Sequence, residues 1–239
     1  MGRLLLVLFA IALSACSATV PAPIHNDSGR FRRAPKRSYR VLPGDTLYSV
    51  AFATGHDYRE LARWNGIAPP YRIRVGERLR LRPPARPTPR AKAPARAAAA
   101  PSAPPLPARR LPVVSRWIWP ARGRVVRVTG RSRPGDVGIA IRGRYGEPVR
   151  AAAAGEIVYV GSGLPGYGEL IIIKHNNDYL SAYAHNAWTD VQEGEMVEQG
   201  EVIAAMGDSG TNHVELGFEI RKDGAAVNPI AYLPHTSHP

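Results

Sequence analysis

The side chains that could do chemistry gather near the end of the chain. In His213-Val214-Glu215-Leu216-Gly217-Phe218-Glu219-Ile220, bulky apolar residues at 214, 216, 218 and 220 alternate with Glu215, Gly217 and Glu219. A period of two reads as a strand with one face in a core and the other lining a groove. His213 then shares the groove face with Glu215. Two more histidines lie upstream. His185 follows Tyr183-Ala184, and His175 ends an apolar run. A lone histidine on a sheet face is more often structural than catalytic, and His175 reads as a packed or hydrogen-bonded residue. Cys16 is the single cysteine, so no internal disulfide forms.

The position of Cys16 gives it another chemistry. Met1-Gly2-Arg3 is a short positive segment, and Leu4 to Leu13 is an apolar run too short to span a membrane. It ends in Leu13-Ser14-Ala15-Cys16, which resembles a bacterial lipobox. Residues 1–15 are expected to leave as a lipoprotein signal peptide, with Cys16 lipidated. Ser17 in place of Asp favours, by resemblance to enterobacterial lipoproteins, the periplasmic face of the outer membrane. Ordinary signal cleavage with Cys16 incidental is the plain alternative.

The charge is uneven. The 239 residues carry a formal +13. Up to Pro112 there are 20 Lys/Arg against 5 Asp/Glu, and beyond it 12 against 14. The basic half suits an anionic lipid or wall polymer. Nucleic acid is not expected, because the basic residues lie in linkers of an exported chain without interleaved aromatics.

Five further regions follow the signal segment. Residues 16–37 read as a lipidated polar tether. Residues 38–82 form a compact β-α-α-β unit: a strand at Tyr39-Arg40-Val41, a turn at Pro43-Gly44, a helix capped by Asp45 or Thr46, a second capped by Asp57 and ended by Asn65-Gly66, then a strand at 78–81. Residues 83–112 are Pro/Ala/Arg-rich and cannot bury a core. Extended, they would reach on the order of 90 Å. Residues 113–234 show short strand-like runs between Gly and Asn breaks, which predicts an all-β sandwich or open barrel. Residues 235–239 are a tail.

The first unit resembles a LysM module through Tyr-x-Val-x-x-Gly-Asp-Thr-Leu, Leu-Ala-x-x-Asn-Gly-Ile and Ile-x-Val-Gly-Glu-x-Leu. The resemblance implies binding to N-acetylglucosamine-containing glycans of peptidoglycan. By position, Gly44, Asp45, Thr46, Leu47, Asn65, Gly66 and Ile67 would form the groove. The same glycines also simply build turns. Arg72, Arg74, Arg78, Arg80 and Arg82 make the closing hairpin basic, by default a solvated face.

The second domain resembles the lysostaphin-type (LytM) metallopeptidases. The matching blocks are Trp119-Pro120-x-x-Gly123, Gly146-x-Pro148-Val149-x-Ala151, Gly166-Tyr167-Gly168, Tyr183-Ala184-His185, and Phe218-Glu219-Ile220 through Asn228-Pro229. Active members hold zinc with three protein ligands and leave a fourth position for water. The resemblance places those ligands at Asp136, Ala140 and Gly217, and the assisting histidines at His185 and Glu215. A methyl and a hydrogen cannot bind a metal. The expectation is therefore a non-enzyme without metal or cofactor. Its emptied groove, lined by Asp136, Ala140, Tyr183, His185, Glu215 and Gly217, would hold a partner. Carboxylates at 136 and 215 would suit a basic or amide-rich guest; plain solvation is the alternative.

The fold expected is an α+β LysM module joined by a disordered linker to an all-β LytM sandwich or open barrel. Lipobox, LysM, spacer and degenerate LytM domain together resemble the NlpD-type lipoproteins. That implies activation of a periplasmic N-acetylmuramoyl-L-alanine amidase for septal wall splitting. Two other readings stay open: a zinc endopeptidase with an unconventional site built from Asp136, His185, His213 and Glu215, and a non-catalytic wall tether.

Overall fold

The computed structural model describes residues 37–84, 114, 116–129 and 137–235. Residues 1–36, with the signal segment and Cys16, nearly all of the linker, Asp136 and residues 236–239 lie outside them.

The first module is β1 (Ser38–Arg40), α1 (Leu47–Thr54), α2 (Tyr58–Asn65) and β2 (Arg78–Arg80), with β1 and β2 antiparallel. Each helix begins where a side chain takes up its free N–H groups. Thr46 Oγ1 accepts from Ser49 N while Ser49 Oγ accepts from Thr46 N, both at 3.0 Å, a reciprocal capping box. Asp57 accepts from Arg59 N at 2.8 Å and Glu60 N at 3.2 Å. Gly55 and Gly66 end the helices in the left-handed conformation. Leu47, Val50, Ala51, Leu61, Ala62 and Leu79 close a small core between helices and hairpin.

The second module contributes β3 (Arg124–Thr129), β4 (Val137–Arg142), β5 (Pro148–Arg150), β6 (Gly155–Gly161), β7 (Glu169–Lys174), β8 (Tyr179–Thr189), β9 (Met196–Val197), β10 (Val202–Met206), β11 (Glu215–Lys222) and β12 (Ala225–Val227). All pairings are antiparallel, and the order runs β3-β4-β11-β8-β7-β6-β9; β10 pairs with β5 and β8, and β12 with β11. β11 starts at Glu215, so His213 lies outside the strand, exposed in the preceding bend, and does not share a strand face with Glu215.

One face of the sheet buries Ile139, Ile141, Ile171, Ile173, Tyr183, Leu216, Phe218 and Ile220 in the main core. The other face divides in two. Around β6, β7 and β8 it presents Val158, Leu170, Ile172, Leu180, Ala182 and Ala184, and Phe52 of α1 packs into that cluster, 2% exposed. Around β4 and β11 lies the stretch where the metallopeptidase resemblance puts a metal site.

Candidate functional site

β11 lies between β4 and β8, and the register places Gly217 opposite Ala140 on one side and Ala184 on the other. The two positions that offer no donor thus face each other across one ladder step. A Cβ added at Gly217 would stand 3.1 Å from His185 Cδ2 and 3.2 Å from Ala184 Cβ. The His185 ring therefore lies close over the glycine. Its Nδ1 is 2.7 Å from the Ser209 carbonyl oxygen. A carbonyl only accepts, so Nδ1 carries a proton, and in the neutral ring Nε2 is the acceptor on the glycine side.

Glu215 stands at one end of this floor, largely buried, with Oε2 3.2 Å from Arg142 Nε, its cross-strand neighbour. The expected acidity of the groove is thus offset at this position. At the other end Glu219 accepts from Tyr167 Oη at 3.1 Å and pairs with Arg221 Nη2 at 3.2 Å. Gly138 admits Glu219 there, because a Cβ at 138 would come 3.0 Å from Glu219 Cγ. Tyr145 and Trp188 stand exposed, ring centres 6.4 Å apart. Arg142, Glu219, Tyr145 and Trp188 were not singled out in the sequence as site residues. Only the alternation of Glu219 with core residues pointed to its face.

Tyr183 is not a groove residue. It is fully buried, its ring 5.3 Å from that of Phe218 on the core face. Two-residue spacing from His185 suggests a shared face, but His185 has φ of 65°, and this left-handed residue breaks the alternation. The Tyr183 hydroxyl instead joins a buried chain. Ala152 N donates to it at 2.8 Å, Ser181 Oγ lies 3.0 Å away, and Ser181 Oγ is 2.7 Å from His175 Nε2. His175 Nδ1 meets the Ala154 carbonyl at 2.8 Å, which puts the proton there, makes Nε2 the acceptor of the Ser181 proton, and turns the Tyr183 proton towards Ser181. Burial pushes the His175 imidazole down to about 4 and the Tyr183 phenol up to about 12.

Zinc chemistry does not fit these residues. Ala140 and Gly217 offer nothing and Glu215 is paired with Arg142, so His185, whose Nδ1 is held by the Ser209 carbonyl, would offer its Nε2 alone where three ligands are needed. Among the described residues no group of three His, Cys, Asp or Glu is placed to hold a metal ion. Asp136 lies outside them, so its distance from the groove is not part of this geometry.

The residues expected to bind glycan divide as well. Gly44 and Gly66 are exposed with open space at their Cα atoms. Asp45 Oδ2 accepts from Tyr39 Oη at 2.8 Å and Leu42 N at 2.7 Å. Asn65 is spent on Leu61 O and on both Arg80 backbone groups. Ile67 is half-buried against the module's core. Leu47, 1% exposed, sits inside that core, so its side chain cannot reach a sugar; its position is the first turn of α1, which points it inward. Thr46 Oγ1 caps α1 and also lies 3.1 Å from the Val158 carbonyl of the other module.

Fold and site define a LysM module coupled to a metallopeptidase-type sheet that lacks ligand side chains at two positions. Residues 39–82 match the LysM domain, and residues 135–229 match peptidase family M23. The Lipoprotein NlpD/LppB homolog of Pseudomonas aeruginosa is 41% identical over 93% of this chain and 88% of its own. An uncharacterized lipoprotein, YgeR, of Escherichia coli is 38% identical over 98% and 93%. The Murein hydrolase activator NlpD of Escherichia coli is 35% identical over 82% and 68%. The chain belongs to the NlpD/LppB lipoprotein family.

Proposed function

We propose that this protein is a lipid-anchored, peptidoglycan-binding activator of a periplasmic N-acetylmuramoyl-L-alanine amidase, with no hydrolase activity of its own. It acts in septal wall splitting from the periplasmic face of the outer membrane, held by Cys16. The observation that carries the reading is the pairing of Ala140 with Gly217 on adjacent strands, where a metallopeptidase needs donors. The floor so left is smooth, with the His185 Nε2 acceptor over it and an ion pair at each end. An extended peptide or helix could lie there and be recognised by side-chain shape and hydrogen bonding. Activation then requires the amidase segment held there to belong to its open form more than its closed one. Relatives named murein hydrolase activators in Escherichia coli and Salmonella support the class, and relatives named outer membrane antigenic lipoproteins support the location.

Purified sacculi test this directly. The full chain alone, with or without added zinc, is expected to release no fragments. Added to a periplasmic amidase of the same organism, it should raise release severalfold. Release by the chain alone would make it an endopeptidase, and no effect on the amidase would make it a tether.

A further inference from the structure

The two modules meet, and a cleft of about 210 Å³ opens where they do. One wall is the LysM turn Leu42-Pro43-Gly44-Asp45; the other is Tyr159 to Gly163 of the sheet module. We propose that this cleft is a glycan subsite of peptidoglycan, in which the metallopeptidase-type module supplies half of the contacts to one N-acetylated hexosamine. The inference rests on the peptidoglycan-binding reading and goes beyond it, since it takes the second module into the sugar site.

The lining selects the ligand. Its one charged side chain, Asp45, already accepts from Tyr39 and Leu42 N. The five exposed arginines of residues 72–82 are not among the lining residues, so an anionic polymer finds no counter-charge. Leu42, 43% exposed, and Pro43 give apolar surface for an acetamido methyl or a ring face. Gly44 and Gly161 let the sugar approach the backbone without side chains in the way, and Ser162 adds an exposed hydroxyl. Tyr159 Oη accepts from Gly163 N at 3.0 Å and sets the loop's shape. Pockets for drug-sized ligands run to roughly 300–1,000 Å³, so this cleft takes a single sugar residue rather than a bulky apolar molecule.

The walls are fixed relative to each other by independent contacts. Thr46 Oγ1 donates to Val158 O beside the cleft. Lys174 Nζ lies 5.5, 5.2 and 6.0 Å from the ring centres of Tyr48, Tyr58 and Tyr71 and donates to Tyr48 Oη at 3.3 Å. Arg221 stacks 3.5 Å from the Phe52 ring centre and donates to Phe52 O at 2.7 Å. Arg59 reaches Asp178 at 3.4 Å and Asp223 at 2.9 Å. Backbone also meets backbone closely, because a Cβ at Gly224 would collide with Asp57 N. A cleft held on both sides costs a bound sugar little ordering.

The test uses the full chain with purified sacculi and with the β-1,4-linked N-acetylglucosamine tetramer. Ser162→Trp fills the cleft from the sheet side without replacing any LysM residue or any side chain that joins the modules. Binding is expected to weaken at least fivefold while Tm stays unchanged; binding within twofold of the parent overturns the subsite. Hydrogen exchange on the parent chain needs no substitution and covers the case in which the variant does not fold. Tetramer-dependent protection at both 42–45 and 161–163 supports the proposal, and protection confined to the LysM residues overturns it. A parent chain that binds neither sacculi nor tetramer overturns the peptidoglycan reading as well, whereas binding by the parent with an unaffected variant sinks the subsite alone.

Discussion

At Gly217 a hydrogen stands where the resemblance expects a ligand, and the His185 imidazole lies close over it. Glu215 is paired with Arg142, which sharpens what a charge change there would do. Glu215→Lys sets two cations face to face across a strand pair whose Arg142 side chain is 38% exposed. With solvent screening, that should cost about 1 kcal/mol of stability and lower amidase activation severalfold. The exchange Arg142→Glu with Glu215→Arg restores the pair and reports which loss matters. Recovery of both Tm and activation would show that the pair only shapes the groove. Recovery of Tm alone would show that the carboxylate itself faces the partner. Full activation by Glu215→Lys would remove the groove from the mechanism. The sequence made Glu215, Ala140 and Gly217 legible as neighbours because strand alternation and motif position agree there. It misplaced Tyr183, because counting by two fails across the left-handed residue His185, and nothing in the local sequence announces that conformation. His213 was misplaced for a related reason, since alternation does not say where a strand begins.

At the scale of elements, strand and helix positions were largely readable from apolar period and capping residues. Thr46, Asp57 and Gly66 act at the helix ends the sequence assigns them, and Gly55 closes α1 without having been read as its end. What could not be read is how a polar group ties elements together inside the core. His175, at the end of β7, links the Ala154 turn to Ser181 of β8, and Ser181 links on to Tyr183 and Ala152. That chain works only with a neutral ring. In the folded protein the imidazole sits at about 4, against an ordinary value of 6.5. Below that ordinary value the unfolded chain takes up a proton that the folded chain refuses, so unfolding gains. The contribution of His175 is therefore complete above pH ~6.5 and drains away as the pH falls towards ~4, by up to about 3 kcal/mol. Thermal melts at steps between pH 7.5 and 4.5 should show Tm falling through this window. In His175→Gln, an amide that can still donate to Ala154 and accept from Ser181, the fall should flatten. Equal slopes in the two chains would assign the acid sensitivity to other groups.

The whole molecule departs furthest from what composition suggests. A Pro/Ala/Arg-rich stretch between two motif-bearing units reads as a spacer and gives no sign of contact between them. Yet Phe52 packs on β6, β7 and β8, and Arg221, 2% exposed, spends a guanidinium N–H on the Phe52 carbonyl. No periodic signal connects positions 52 and 221, so the contact was invisible in the sequence. Its physical basis is plain in the structure. Without the LysM module, Val158, Leu170, Ile172, Leu180 and Ala182 would form an exposed apolar patch on one sheet face, with Lys174 and Arg221 stripped of their aromatic partners. Joined in one chain, the modules meet at an effective concentration on the order of mM, so an interface of modest intrinsic affinity stays closed. Burial lowers the Lys174 ammonium from its ordinary value, the Glu156 carboxylate opposes that shift, and three tyrosine rings lie close around the ammonium. Lys174→Glu would put a carboxylate against the negative ring faces and turn attraction into repulsion. The parent chain should therefore melt in one calorimetric transition, and Lys174→Glu in two, with dye binding to the uncovered sheet face after the modules part. Two transitions in the parent would show that LysM and sheet fold independently. They would also leave the cleft between them without the fixed walls on which its sugar-binding role depends.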